Sequence, residues 1–299
     1  MQKAALVLAA SLAAALIPSP AVAWSTAAHR FMMERAIDML PPELQLFFAH
    51  FRSEVVVRVI DPDLWRTAGW EDDPSHFLDF GAPEFGRYPF AALPREYGAA
   101  IEKFGMATLK RDGTLPWREA EEFGNLRRAF EGFARNISSA PGDTILFAAV
   151  ASHYIQDAHQ PFHGTNNFDG QLTGQIGIHA RFESALFDRF QSRLSINPPP
   201  LKPIRNVRDT AFDILLGSYE LVQPLLDADR AAVAGKDMYD DAYYEKFFSG
   251  VKSVLERRIA ESITATASLI VGAWEAAGKP ELKTEMPRTV QKVRAPKSY

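Results

Sequence analysis

The sequence predicts an all-α protein that folds as a single multi-helix domain. Apolar residues recur at helical spacing along most of the chain, and no segment shows the strong alternation of a β-strand. With 299 residues, of which 47% are hydrophobic, the chain can bury a substantial core. Because neither an internal repeat nor a linker divides the sequence, we expect one domain over residues 24–278.

The N-terminal half is predicted to contain helices and one ambiguous segment. The first helix covers Ala27–Leu40 and stops at the two prolines that follow. Val55–Ile60 fits a strand or a short buried helix about equally well. A central helix runs from Asp143, an expected N-cap, to Pro161 and is apolar on nearly every face. A further helix is expected to open near Ile178.

The C-terminal half is predicted to be helical as well. Beyond three consecutive prolines, the apolar periodicity predicts helices over Asp209–Asp229, Asp240–Arg257 and Ile259–Ala277. Two segments rich in glycine, proline and aromatic residues are expected to be ordered surface loops that line a site, namely Gly81–Pro94 and Asn166–Gly177. Residues 279–299 are basic and poor in apolar residues, which predicts a disordered tail.

The first 23 residues have the features of an export signal. A lysine precedes an apolar run, and Ala21 and Ala23 form the pattern of small residues that signal peptidase reads. The run is shorter than the roughly 20 residues that span a bilayer, so no stable membrane anchor is expected. Cleavage between Ala23 and Trp24 would give a secreted or periplasmic protein. The sequence has no cysteine, which excludes disulfides and thiolate metal sites.

The stretch HYIQDAHQPFH at positions 153–163 contains three of the seven histidines. His153 and Asp157 are four residues apart and share a helix face, and His163 follows a helix-ending proline. Taken alone, the pattern also fits a buried histidine that is hydrogen-bonded to an acid one turn away. The same spacing recurs at His179 and Glu183. Imidazole and carboxylate are the ligands that suit zinc when thiolates are absent.

Two upstream elements supply further candidate ligands. Asp61 and Asp63 both precede His76, and either can complete a site with it. At the predicted mature terminus, the free α-amine of Trp24 lies five residues before His29. Five of the seven histidines thus lie beside a carboxylate or a terminal amine, which favours a metal centre over isolated hydrogen-bonded pairs.

These residues resemble the zinc-dependent phospholipase C and single-strand nuclease superfamily, which consists of all-helical secreted hydrolases with three zinc ions (Zn2+) in one cleft. The resemblance spans Trp24 to Glu183. It implies one zinc held by Asp63, His76, His153 and Asp157, a second held by His163, His179 and Glu183, and a third held by Trp24, His29 and Asp157. Asp63 is preferred to Asp61 because the run DLWR resembles the nuclease branch. Gln156 departs from the glycine or threonine that phospholipases usually carry there.

The resemblance implies a zinc-dependent phosphoric diester hydrolase. Clustered zinc ions lower the pKa of a bound water toward ~7 and neutralise the phosphate, while Asp63 can orient that water or accept its proton. Glu183 and the short connection from His163 to His179 favour a phospholipase C that acts on a phospholipid head group. Side chains expected to contact the substrate are His159, Asn166, Phe80 and Phe85.

Two alternatives stay open. A single-strand-specific endonuclease or 3'-nucleotidase of the same superfamily is favoured by the closeness of Trp24 to His29 and by aromatic residues that can stack a base. A non-catalytic helical module stapled by zinc is the other alternative. The formal charge of −4 argues against a general attraction to nucleic acid or anionic lipid. No obligate protein partner is evident from the sequence.

Overall fold

Helices make up the regular structure of the protein. The computed structural model describes residues 24–235 and 238–285, and across these residues it contains helices and turns but no β-strand. The helices are α1 (Thr26–Asp38), α2 (Pro42–His50), α3 (Arg52–Arg58), α4 (Asp61–Thr67), α5 (Tyr97–Phe104), α6 (Met106–Asp112), α7 (Leu115–Ala134), α8 (Ala140–Ala158), α9 (Ile178–Ala180), α10 (Leu186–Phe190), α11 (Val207–Val233) and α12 (Asp241–Ala276). The prediction of a single all-α domain is confirmed.

Helix α8 lies at the centre of the core. It packs against α7, α12 and α3, and every residue from 148 to 158 is buried. The helix begins at Ala140, before the predicted N-cap Asp143, because Pro141 fits the first helical turn, where a missing N–H has no intrahelical partner to lose. Asp143 instead accepts a hydrogen bond from Ser139 Oγ at 2.8 Å.

The last helix is one continuous element, whereas the sequence predicted two. The predicted boundary at Arg258 falls inside α12, which spans 36 residues. Arginine interrupts the apolar pattern there, but it is a good helix former and no proline stands nearby. The Arg258 guanidinium is buried and donates to His159 O at 2.9 Å and to Ser218 Oγ at 2.6 Å. These bonds join α12 to α11 and to the end of α8.

Other elements differ less from the predictions. The ambiguous segment Val55–Ile60 falls largely on α3, a short helix with buried valines. Helix α11 contains the predicted Asp209–Asp229 and extends it at both ends. Helix α7 is not among the predicted helices, because buried Glu119 and Glu122 break its apolar pattern, yet it packs closely against α8.

Of the two predicted loops, Asn166–Gly177 contributes Phe168 to the cavity described below, whereas no residue of Gly81–Pro94 lines that cavity. Gly81–Pro94 is non-helical except for a short turn at Pro83–Phe85, and Asn166–Gly177 has no helix. Residues 279–285 follow α12 as extended chain and bends, and Trp274 Nε1 donates to Pro280 O at 2.9 Å. The predicted export signal, residues 1–23, and residues 286–299 of the predicted tail lie outside the described residues. No described helix combines the length and apolar character that a membrane span requires.

Candidate metal centre

Three groups of histidine and carboxylate side chains lie around the C-terminal turns of α8. In each group the possible ligand atoms lie within 4.8 Å of one another. We call them group A (His29, His153 and Asp157), group B (Asp63, His76 and His153) and group C (His163, His179 and Glu183). All of these side chains are buried except Asp63, which is partly exposed. Each group can hold a metal ion.

Asp157 lies between groups A and B. Its Oδ1 is 3.4 Å from His29 Nε2, whereas its Oδ2 is 3.2 Å from His153 Nε2 and 3.0 Å from His76 Nδ1. The two oxygens therefore face different groups, which is the position that a residue bridging two ions would need. Burial raises the pKa of Asp157, but the nearby His153 and His163 outweigh burial and hold it well below its usual value.

Asp63, and not Asp61, faces group B. Asp63 Oδ1 is 3.9 Å from both His76 Nδ1 and His153 Nε2. Asp61 Oδ2 instead lies 3.1 Å from Arg58 Nη1 and forms an ion pair outside the groups. Both aspartates lie in the first turn of α4, but residues two apart on a helix point to different sides. The helix thus presents only one of them to the metal groups.

Group C is built by the turn that follows α8 and by the helical segment that begins with α9. His179 and Glu183 are one turn apart, and His179 Nε2 lies 2.9 Å from Glu183 Oε2. His163 Nε2 is 4.0 Å from the same oxygen. Gln160 Nε2 donates to Glu183 Oε2 at 2.8 Å and so fixes the carboxylate in this orientation.

The Nδ1 atoms of two histidines donate to backbone carbonyls, and one ring nitrogen of a third lies near a carboxylate. His153 Nδ1 donates to Val59 O at 2.9 Å, and His163 Nδ1 donates to His76 O at 2.6 Å. The Nε2 atom of His76 lies 3.4 Å from Asp72 Oδ2. Such partners determine which nitrogen carries the proton and leave the other nitrogen for a metal.

Two of these supporting residues, Asp72 and Gln160, are not among the predicted site residues. Asp72 precedes His76 by four residues, the same spacing that singled out His153 with Asp157, so its signal was present in the sequence. Its Oδ2 also accepts a hydrogen bond from Tyr154 OH at 2.7 Å. Gln160 carries no charge, and nothing in the sequence indicates its bond across the fold to group C.

Several polar atoms of the groups are buried without a hydrogen-bond partner. They are His29 Nε2, both carboxylate oxygens of Asp63, His76 Nε2, Asp157 Oδ1, both ring nitrogens of His179 and Glu183 Oε1. Burial of a carboxylate is costly unless a cation or a donor compensates it. The donor set consists of imidazole nitrogens and carboxylate oxygens, which are the ligands that zinc takes in the absence of thiolates. The residues present therefore fit divalent metal ions.

A cavity of about 340 Å³ opens beside groups B and C. Its walls include the group histidines His76, His163 and His179. They also include two cationic, two acidic and three aromatic side chains, namely Arg66, Arg111, Asp73, Asp79, Phe77, Phe162 and Phe168. Burial and the nearby Asp112 raise the pKa of Asp79 well above its usual value. The cavity therefore combines histidines of groups B and C with two arginines and two aspartates, of which Arg66 and Asp73 form an ion pair at 2.8 Å.

The comparisons with known proteins give no family assignment. Neither a search against protein-family models nor a search of curated proteins finds a match for this chain.

Phe80 and Phe85, two of the residues predicted to contact substrate, do not line this cavity. Both side chains are buried in the core, where Phe80 stacks on Phe90 with ring centroids 4.8 Å apart and Phe85 packs edge-on against Phe104. Within the loop Gly81–Pro94, Phe85 and Phe90 are buried, whereas Tyr88 is exposed. The aromatic rings that line the cavity belong to other positions.

His159 and Asn166 also lie apart from the cavity lining. His159 is buried at the end of α8, where its Nδ1 donates to Ile155 O at 2.8 Å, and burial lowers its pKa well below the usual value. The amide of Asn166 donates to Gly81 O at 3.0 Å and connects the two loops. Both side chains therefore have structural partners, which the sequence did not reveal because those partners are backbone carbonyls.

Trp24 lies beside group A. Its side chain is buried, and its indole Nε1 donates to Gln156 O at 3.0 Å, one residue before Asp157. The side chain of Gln156 in turn contacts His29, with Oε1 2.6 Å from Nδ1. The role of the Trp24 amine as a ligand depends on cleavage after Ala23, which lies outside the described residues, and it stays a prediction.

Proposed function

We propose that this chain is a secreted, zinc-dependent hydrolase of phosphate diesters, as its resemblance to the phospholipase C and nuclease superfamily implies. The observation that supports this best is the cavity whose walls include His76, His163 and His179. A structural zinc site is closed by four protein ligands, whereas a hydrolytic site keeps a position for water or substrate. Group C has only three protein ligands and faces the cavity. This favours catalysis over a purely structural module.

Different residues would bind the metal, orient the water and stabilise the phosphate charge. Bound zinc would supply a water of lowered pKa and neutralise the phosphate, with groups A, B and C as its ligands. Asp63 has two carboxylate oxygens without a hydrogen-bond partner, so it can orient a water or accept its proton. Arg66 lies beside Asp63, with Nη1 3.6 Å from Oδ1, and lines the same cavity. Its guanidinium can stabilise negative charge that develops on the phosphate.

The proposed substrate is a phospholipid head group. This choice depends on the resemblance, because Glu183 and the short connection from His163 to His179 are typical of the phospholipase C branch. A phospholipid also needs no recognition of a base, and the cavity of about 340 Å³ accepts a phosphate with a small substituent.

Single-stranded nucleic acid is a second candidate, and the cavity lining favours it. Phe77 is half-buried and Phe168 is exposed, so each ring has a face on which a base can stack. Arg66 and Arg111 supply positive charge for successive phosphates.

The proposal is tested first with bis-p-nitrophenyl phosphate. We expect turnover that a chelator abolishes and zinc restores, and elemental analysis near three zinc ions per chain. Asp63→Asn is expected to lower the rate by about a hundredfold or more, the scale of a lost stabilising group. Asp61→Asn is the matched control on the same turn of α4 and should keep its activity. A zinc-loaded protein without turnover would contradict the enzymatic proposal.

A paired assay then separates the two substrates. Metal-loaded protein is incubated with phosphatidylcholine vesicles and, separately, with a single-stranded oligonucleotide. Faster release of phosphocholine supports the phospholipase C proposal. Faster release of nucleotides contradicts it and supports the second candidate, a nuclease that acts on single-stranded nucleic acid.

A further inference from the structure

Gln156 contacts three other segments of the chain beside group A. It is fully buried in α8, immediately before Asp157. Its Oε1 lies 2.6 Å from His29 Nδ1, and its backbone carbonyl accepts the indole N–H of Trp24 at 3.0 Å. Its Nε2 donates to Thr266 Oγ1 on α12 at 3.4 Å. One residue thus contacts the predicted mature terminus, a histidine of α1 and the last helix.

The contact with His29 has a chemical consequence. An amide oxygen only accepts hydrogen bonds, so the nitrogen that faces it, His29 Nδ1, must carry the proton. The lone pair of the ring is then on Nε2, which lies 3.4 Å from Asp157 Oδ1. Both of these atoms are buried and have no hydrogen-bond partner. The ring is therefore held in the tautomer that offers a nitrogen ligand beside a carboxylate ligand.

We infer that Gln156 is the positioning residue of group A: it holds His29 as the Nδ1–H tautomer and ties Trp24 to the same turn of α8. The inference rests on the proposed metal centre and deepens it. A glycine or threonine, which phospholipases usually carry at this position, has no side-chain carbonyl that could accept from His29 Nδ1. Partners of this kind commonly change metal affinity by 10- to 100-fold when they are removed.

The experiment removes the acceptor and keeps the size of the side chain. Gln156→Met is compared with Gln156→Glu, which retains an oxygen acceptor, and with Thr266→Val, which removes only the other partner of Gln156. Zinc is titrated into each metal-free protein against a chelator. We expect Gln156→Met to weaken the binding of one zinc by about 10- to 100-fold, while Gln156→Glu binds that ion more tightly than Gln156→Met does, and Thr266→Val and the ion of group C keep their affinity.

A spectroscopic readout separates positioning from general damage. Imidazole ¹H–¹⁵N correlation spectra of histidine-labelled protein report the tautomer of each ring, and His29→Gln identifies the signal of His29. In metal-free wild-type protein we expect the Nδ1–H tautomer at His29, and in Gln156→Met we expect that preference to be lost. The signals of His153 and His163 should stay unchanged, because their Nδ1 atoms donate to backbone carbonyls.

Two outcomes overturn the inference. One is equal zinc affinity and an unchanged His29 tautomer in Gln156→Met. The other is an Nε2–H tautomer of His29 in the metal-free wild-type protein, which can be read even if no variant folds. A wild-type protein that shows the Nδ1–H tautomer but binds no zinc would instead contradict the proposed function and leave the contact with Gln156 intact.

Discussion

Among single residues, Asp157 has the widest set of contacts with the metal groups. Its two oxygens face His29 on one side and His76 with His153 on the other. We predict that Asp157→Asn loses more zinc than any other single substitution, because one change removes a ligand from two ions. Elemental analysis of the purified variants measures this. A larger loss of total zinc in His163→Ala would contradict the bridging role.

A second residue gives a prediction about pH and stability. Glu119 is fully buried on α7, and neither of its carboxylate oxygens has a hydrogen-bond partner. Burial and the nearby Glu122 raise its pKa well above the usual value. Below the unfolded pKa of about 4.5, Glu119 is protonated in both the folded and the unfolded chain, so its ionisation does not affect the free energy of unfolding. As the pH rises above that value, the unfolded chain loses the proton first and folding becomes less favourable.

Glu119→Gln is therefore expected to stabilise the protein at pH 7.5 and to have a smaller effect at pH 4.5. The gain is about 1.4 kcal/mol for each unit by which the fold raises the pKa. Urea unfolding midpoints at both pH values measure it. Glu121→Gln, an exposed neighbour on the same helix, is the matched control. An equal shift of the midpoint at both pH values would show that the effect does not come from titration.

The sequence identified the clustered histidines and carboxylates better than the residues that support them. His153 with Asp157 and His179 with Glu183 are one helical turn apart, so local spacing alone brings their side chains together. The supports act across the fold: Val59 O holds His153, and Gln156 holds His29. Contacts of this kind depend on packing between distant segments. Backbone carbonyls and glutamine side chains that make them do not recur at any sequence spacing that would mark them.

Among the helices, the packing of α12 depends on one glycine. Gly272 lies in the helix interior, where a Cβ atom would collide with the backbone carbonyl of Ile204. Ile204 N also donates to Ser268 O at 3.0 Å, so the segment before α11 is bound closely to α12. Backbone atoms cannot move aside as a flexible side chain can. The glycine therefore permits a close approach at the cost of some helix propensity.

Gly272→Ala is predicted to lower the free energy of unfolding by about 1–3 kcal/mol, the scale of overpacking in a core. Gly217→Ala is the control, because a Cβ atom at this position inside α11 would meet no neighbouring segment within 4 Å. There the added methyl group should stabilise the protein by about 0.5–1 kcal/mol. Urea unfolding of both variants gives the two values. A stabilising effect at position 272 would show that Ile204 does not pack against α12 in this way.

The elements themselves were predictable to the extent that their apolar pattern is regular. The central helix α8 is buried on all sides, and its apolar run is unmistakable in the sequence. Helix α7 packs against it but places Glu119 and Glu122 in buried positions, and this hides the pattern. The break predicted near Arg258 fails for a related reason, since a buried arginine with backbone and hydroxyl partners resembles a surface residue in the sequence.

At the scale of the whole molecule, the metal groups join segments that are far apart in the chain. They bring together α1 through His29, α4 through Asp63, α8 through His153, and the segment of α9 through His179. The chain has no cysteine, so no disulfide can make these connections. Several carboxylate oxygens of the groups, among them Asp157 Oδ1 and Glu183 Oε1, are buried without a hydrogen-bond donor. Bound zinc would therefore stabilise the fold as well as serve the proposed reaction.

Removal of the metal is accordingly predicted to lower the melting temperature of the protein. A ligand present at 100 times its Kd stabilises the folded state by about 2.7 kcal/mol, which corresponds to a shift of about 5–10 °C for each ion in a domain of this size. Calorimetry with and without a chelator measures the shift, and elemental analysis confirms that the zinc has left. Added zinc should restore the melting temperature, whereas added magnesium should not, because it prefers oxygen ligands and keeps its waters. An unchanged melting temperature in zinc-free protein would show that hydrogen bonds among the buried side chains suffice to hold these segments together.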